Sequence, residues 1–196
     1  MFLRKVCSVF FLPGVIFFIL NSASYAADSK NLQSREYDIG IAAGLWLPGT
    51  VWIGDDELDK DAGPLLRVFA DMYVAPKFAV GAYGNYSSVS LSSEFVDVDG
   101  SFWELGVSFK PKFMVSPDIA VKPGLNIGYR ESSLDIDDFD TIDGLGVNIS
   151  VELQFALEGG YILFIDGGFL SQPVGGNDLY DVQWAPIVYL SAGIAF

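Results

Sequence analysis

The segment LGVNISVELQF, residues 145–155, sets Leu145, Val147, Ile149, Val151, Leu153 and Phe155 against Gly146, Asn148, Ser150, Glu152 and Gln154. Such strict alternation leaves little choice of local structure, because only a β-strand sends successive side chains to opposite faces. The same period returns at YDIGIAAGLWL (37–47) and WELGVSFK (103–110). Segments of this kind lie near 36–47, 65–74, 78–87, 102–112, 119–130, 145–156, 161–171 and 183–196. That makes eight. Their lengths suit a tilted strand crossing a bilayer, which needs about 9–11 residues. No helical period of useful length separates them.

Two unlike faces on every strand call for two unlike surroundings. The interior of an eight-stranded barrel is only wide enough for side chains to fill. A stripe of Leu, Val, Ile, Phe and Trp is too bulky to converge there, whereas Gly, Ala, Ser and Asn with occasional charges fit. The apolar stripe is therefore expected to face outward into lipid; a soluble barrel of the lipocalin kind would need the opposite sidedness. Connection lengths agree. VAPK (74–77), MVSPD (114–118) and LEGG (157–160) are tight, and 48–63, 88–101, 131–144 and 172–182 are long. Short turns on one edge and long loops on the other mark an outer-membrane barrel. The expected fold is all-β: an eight-stranded antiparallel up-and-down transmembrane β-barrel over 36–196.

Aromatic residues are expected in two girdles. Trp103 and Trp184 would end the outward stripe on the loop side; Tyr37, Phe78, Phe109, Tyr161 and Phe196 would sit near the turns. Pro111, Pro123 and Pro186 also fall on the outward stripe, and each removes a ladder donor. Pro111 and Pro186 can lie at strand ends. Pro123 requires a late strand start or a bulge.

The first 26 residues read as a cleaved signal peptide. MFLRK is basic, VCSVFFLPGVIFFIL (6–20) is apolar, and NSASYA ends on small residues. That run, broken by Pro13-Gly14, is shorter than the roughly 20 residues a spanning helix needs. Residues 27–35 form a polar periplasmic tail. The only cysteine, Cys7, falls in the leader, so the mature chain has no disulfide and no cysteine-linked lipid. Arg4 and Lys5 leave with it, while all 25 acidic residues remain, and the chain is already at −14 before cleavage. So acidic a protein excludes nucleic acid as a partner.

The C-terminal stretch VYLSAGIAF steps through Val188, Leu190, Ala192 and Ile194 to Phe196. In this, and in its leader, strand count and alternating connections, the chain resembles the small eight-stranded outer-membrane barrels of the OmpA and OmpX type. The resemblance implies that the strand ending in Phe196 is the recognition signal for the barrel-assembly machinery. It also implies embedding among outer-membrane lipid and lipopolysaccharide. No peptidoglycan-binding domain of the kind full-length OmpA carries is expected. A closed barrel leaves no free edge, so a monomer is expected.

Inward parity collects Asp38, Arg67, Asp71, Glu104, Lys110, Lys122, Arg130, Glu152 and Asp166. Buried charges must pair or be wetted, which points to a lumen network with Glu104 facing Arg130 and Lys122 facing Glu152. Catalysis has little to work with: there is no histidine, and the mature chain has no cysteine. The small barrels that edit lipid A, the palmitoyltransferase and the 3-O-deacylase, use a histidine. No cofactor is expected. The long connections hold 16 of the 25 acids against Lys60 alone. DKDAG (59–63) and DVDG (97–100) make Asp59, Asp61, Asp97 and Asp99 candidates for divalent-cation binding, although neither completes a calcium loop. These features suggest a non-enzymatic structural or surface-interaction barrel displaying acidic loops, the alternative being a small cation-preferring channel.

Overall fold

The computed structural model describes residues 32–92, 97–135, 141–177 and 181–196. The expected leader and residues 27–31 of the tail lie outside the described residues, as do Glu94, Asp137, Asp138, Asp140 and Asp178 of the acidic connections. The strands are β1 (Tyr37–Trp46), β2 (Gly49–Ile53), β3 (Asp56–Lys60), β4 (Gly63–Ala75), β5 (Phe78–Ser92) and β6 (Asp97–Pro111). They continue as β7 (Phe113–Ser116), β8 (Ile119–Leu134), β9 (Ile142–Ala156), β10 (Ile162–Gly176) and β11 (Val182–Ala195). Eight of them, β1, β4, β5, β6, β8, β9, β10 and β11, form a closed antiparallel barrel. β1 closes the sheet by pairing with β4 on one side and β11 on the other. Ile39 and Phe196 exchange backbone hydrogen bonds of 2.9 and 3.0 Å, so the last residue is held in the ladder. β7 continues β6 along β8, and the β2–β3 hairpin continues β1 and β4 upward between β11 and β5.

Over most of the barrel the faces divide as the alternation demands. Ile41, Leu66, Val107, Leu125, Ile149, Val151, Ile165, Leu190 and Ile194 are exposed on the outside. A belt this continuous is a liability in water and the normal state of a barrel in hydrocarbon. Tyr86, Trp103 and Tyr129 close it at the loop end. Tyr86 lies opposite Trp103 in the register, and the Trp103 and Tyr129 rings are 5.5 Å apart.

Above that line the polarity inverts. Along β5 the buried positions change from Asn85 and Ser87 to Val89 and Leu91, while Tyr86 on the outside gives way to Ser88, Ser90 and Ser92. Along β6, Leu105 and Trp103 outside give way to Ser101, Asp99 and Asp97, with Phe102 turned in. On β8, Tyr129 is succeeded by Glu131, Ser133 and Asp135, and Leu134 is buried. The outer solvent has become water, so the apolar residues retreat to the axis. This corrects the expected loops at 48–63, 88–101, 131–144 and 172–182. Strands run well into all four, because the alternation persists while its apolar phase crosses to the inner face.

Prolines mark the same line. The register of β10 against β11 shifts between Leu170 and Gln172, opposite Ala185-Pro186, and that of β10 against β9 shifts across Pro173. Pro48 separates β1 from β2. A proline supplies no ladder donor, so it sits readily where a bulge interrupts pairing. The shift at Pro186 corrects the expectation for Trp184. Instead of ending the outward stripe it turns inward and is 3% exposed. Its ring packs 5.4 Å from Trp46 and 5.8 Å from Phe102, and Trp46 and Phe102 are 4.7 Å apart. With Val51, Leu65, Val89, Leu91, Leu134 and Ile142 these rings form a dry core inside the protruding end. The expectation of a uniformly polar interior is corrected accordingly. Pro123 needs neither a late start nor a bulge. β8 passes straight through it, and it lies across from Pro111, where the ladder between β6 and β7 is interrupted.

Lys60 lies on this core, 1% exposed, with its Nζ 3.7 Å from the Trp46 ring centroid. It donates to the carbonyls of Asp61 and Leu47. Burial pushes its ammonium down to about 8, against the opposing attraction of Asp61. Between that value and the ordinary lysine value, the folded chain binds fewer protons than the unfolded one, so stability rises with pH through this window. Relative to Lys60→Met, the wild type is expected to gain stability as pH rises above about 8, read from urea unfolding in vesicles at several pH values. By the same assay, Phe102→Ala should cost about 3–5 kcal/mol, as for a large core side chain.

Candidate functional site

All nine inward charges lie in the lumen, none more than 3% exposed. They fall into tiers, because each strand contributes inward residues at every second position. Nearest the turns, the Asp38 carboxylate accepts from Arg35 Nε (2.9 Å), Lys122 Nζ (3.0 Å), Gln154 Nε2 (3.1 Å) and the Tyr73 hydroxyl (2.6 Å). Asp71 accepts from Lys110 Nζ (2.8 Å), Lys122 Nζ (2.9 Å) and Ser108 Oγ (3.0 Å). Glu152 stands 3.2 Å from Lys110 and 3.6 Å from Lys122, its direct neighbour in the β8–β9 register.

In the middle, Arg67 Nη1 donates to Asp166 and to the Tyr189 hydroxyl (2.9 Å), which itself donates to Asp166 (2.8 Å). In the upper tier Glu104 lies opposite Arg130 in the β6–β8 register. Arg130 reaches it through Nε (2.8 Å) and Nη2. Glu104 also accepts from the Tyr83 hydroxyl and Asn148 Nδ2, both at 2.5 Å. Gly146 makes room for this carboxylate, since a Cβ there would overlap it. The Arg130 guanidinium then lies 5.0 Å from the Phe102 ring and 5.4 Å from that of Trp184. The ionic stack thus ends against the dry core.

The turn end is closed differently. Leu32 is buried in a cluster with Phe69, Ala120, Ile162, Phe164 and Ala195, and Lys112 Nζ donates to its carbonyl. Arg35 Nη1 donates to the Gly160 carbonyl at 2.6 Å. Leu32 and Arg35, expected as part of a polar tail, therefore enter the lower mouth of the barrel. The inward set of charges left out Arg35 and Lys112 and the hydroxyl partners Tyr73, Tyr83 and Tyr189, whereas Asn148 and Gln154 lay on the stripe expected to face inward. Lys112 was within reach, being two residues beyond Lys110 on the same face. Arg35 carried no signal, because it precedes the first alternation.

Asp59, Asp61, Asp97 and Asp99 lie on the outer face of the protruding end. Ser92 of β5 stands between Asp59 and Asp97 in the register; Ser90 pairs with Asp99, and its carbonyl accepts from Asp61 N. With β5 between them, the backbones of β3 and β6 run about 10 Å apart. A shared ion would need oxygens at about 2.3–2.6 Å. Among the described residues no group of three or more such side chains could hold a metal ion.

A family model described as the outer membrane protein beta-barrel domain matches residues 14–178. This chain belongs to that family. Two solved barrels share the fold of this outer-membrane protein. Neisserial surface protein A aligns at 14% identity over 81% of this chain and 94% of its own, with a TM-score of 0.59. OprG from Pseudomonas aeruginosa aligns at 12% identity over 86% of this chain and 98% of its own, with a TM-score of 0.56. Identities this low speak for the fold alone. No curated protein matches the sequence. The outer-membrane barrel described here is of the small OmpA and OmpX type and resides in the cell outer membrane.

A buried charge that loses its partner costs about 3–5 kcal/mol, whereas removing both partners can be nearly neutral. Glu104→Ala in this outer-membrane barrel should therefore destabilise by about that amount. Adding Arg130→Met to Glu104→Ala should recover most of the loss, measured as a double-mutant cycle in urea.

Proposed function

We propose that this outer-membrane barrel is a non-enzymatic structural and surface-interaction protein, which seals its own lumen and presents a water-facing, acidic rim. One observation carries the proposal: the lumen is filled from end to end. Leu32 and its apolar neighbours occupy the turn end, ion pairs the middle, and the Trp46–Phe102–Trp184 core the loop end. A conducting path would have to open all three. The lumen carboxylates are engaged by lysine, arginine, tyrosine or amide donors, which leaves little for acid–base work.

The rim is anionic: Asp56, Glu57, Asp59, Asp61, Asp97, Asp99 and Asp135 are exposed. Loose attraction of divalent cations there would bridge the rim to lipopolysaccharide phosphates without a dedicated metal site. Residues 1–26 serve as the cleaved leader, the strand ending in Phe196 addresses the barrel-assembly machinery, and the barrel acts as a monomer.

Planar-bilayer recording tests the proposal. Purified protein should give no stable single-channel steps at neutral pH; regular cation-selective steps would favour the channel instead.

A further inference from the structure

The rings that close the lipid-facing belt stand beside two acids. Tyr86 lies opposite Trp103, Trp103 opposite Glu131, and Glu131 opposite Asp143. These four make one row across β5, β6, β8 and β9, on the outer face. Trp103 Nε1 donates to Glu131 Oε1 at 3.3 Å, and the Tyr129 ring lies 5.5 Å from the Trp103 ring, tilted 54° to it. Beneath the row, Leu105 and Leu145 flank Tyr129 in the register, and both are exposed. Above it stand Ser101 and Ser133.

Glu131 against Asp143 is a poor pair for a sheet. Directly opposed residues have Cβ atoms about 4.5–5.5 Å apart, and like charges there are destabilising. Among the described residues no lysine or arginine stands on the outer face of the protruding end to relieve them, since Lys60 is turned into the dry core. A cation from outside the chain would do so. Two carboxylates accept from the N–H donors of an ammonium. The adjoining indole and phenol faces attract the same charge.

We propose that this row binds the primary ammonium of an outer-leaflet lipid headgroup, with the acyl chains of that lipid lying on Leu105 and Leu145. The occupant is a lipid because the row stands at the upper border of the apolar belt, where headgroups meet an aromatic girdle. The amine is primary because the acids need N–H donors, which a trimethylammonium lacks. A calcium ion would take about six to eight oxygens and make no use of the rings. The site is on the outer wall, so it holds whether or not the lumen conducts.

Tryptophan quenching tests it in the Trp52→Phe protein, where Trp103 is the remaining indole on the outer face and Trp46 and Trp184 are buried. Refolded into phosphatidylcholine vesicles that contain a small fraction of chain-brominated phosphatidylethanolamine, this protein should be quenched severalfold more than by the same fraction of equally brominated phosphatidylcholine. EDTA should leave that preference intact. Adding Glu131→Gln and Asp143→Asn should abolish it, while quenching by brominated phosphatidylcholine stays as it was. Equal quenching by the two lipids before the acids are changed would overturn the proposal. A preference lost on chelation would also do so, because a divalent cation would then join the acids to lipid phosphate. So would a preference that survives the loss of both acids. Absence of quenching by either lipid would place the row in water and sink the proposal likewise.

Discussion

Charge pairing in a space with no room for mistakes underlies this molecule. Eight strands enclose a bore that side chains fill completely. Into it the sequence places Asp38, Asp71, Glu104, Glu152 and Asp166 together with Arg35, Arg67, Lys110, Lys112, Lys122 and Arg130. Each carboxylate would be ruinous alone in such surroundings. They are tolerable because strand register brings opposite signs together, either as direct neighbours, as with Glu104 and Arg130, or across the bore, as with Asp38 and Lys122. Small residues supply the remaining clearance. Gly146 yields space to Glu104, and Gly193 to the Phe164 ring. The belt outside can then be wholly apolar, since the charges within the bilayer span are gathered on the axis.

The second organising fact is that one pleat serves two solvents. Within the bilayer the strands are greasy outside and polar inside; beyond it they are polar outside and greasy inside. Neither half requires a new fold. On β5, β6 and β8 the parity is kept and the residue types trade places. On β1–β2 and β11 a proline and a one-residue slip change the parity itself. The result is a stiff continuation of the barrel above the membrane, with its own core, in place of slack loops.

Much of this was legible in the sequence. Eight alternating segments, their lengths and the impossibility of fitting the bulky stripe into the bore led directly to the architecture and its sidedness. The nine charges on inward parity were equally readable, because parity needs no tertiary information. What the alternation hid lay where its apolar phase moves. Ser88, Ser90 and Ser92, or Ser101, Asp99 and Asp97, look like loop to anyone following greasy residues, yet they are strand. Trp184 went astray for a related reason, since the slip at Ala185-Pro186 cannot be seen without the neighbouring strand. Contacts across the bore, such as Asp38 with Lys122 or Arg67 with Tyr189, depend on the shear of the barrel, which no single segment encodes.

The seam between β1 and β11 carries an implication for biogenesis. Ile41 meets Ile194 across it, so the first and last strands must both be present before any hydrogen-bonded cylinder exists. Contacts of such sequence separation form late and slowly. Until then the nascent polypeptide is an open ribbon with two unsatisfied margins and a greasy side, the state most prone to self-association. The cylinder is thus an all-or-nothing object, and its two margins stay open to misjoining until the final strand arrives.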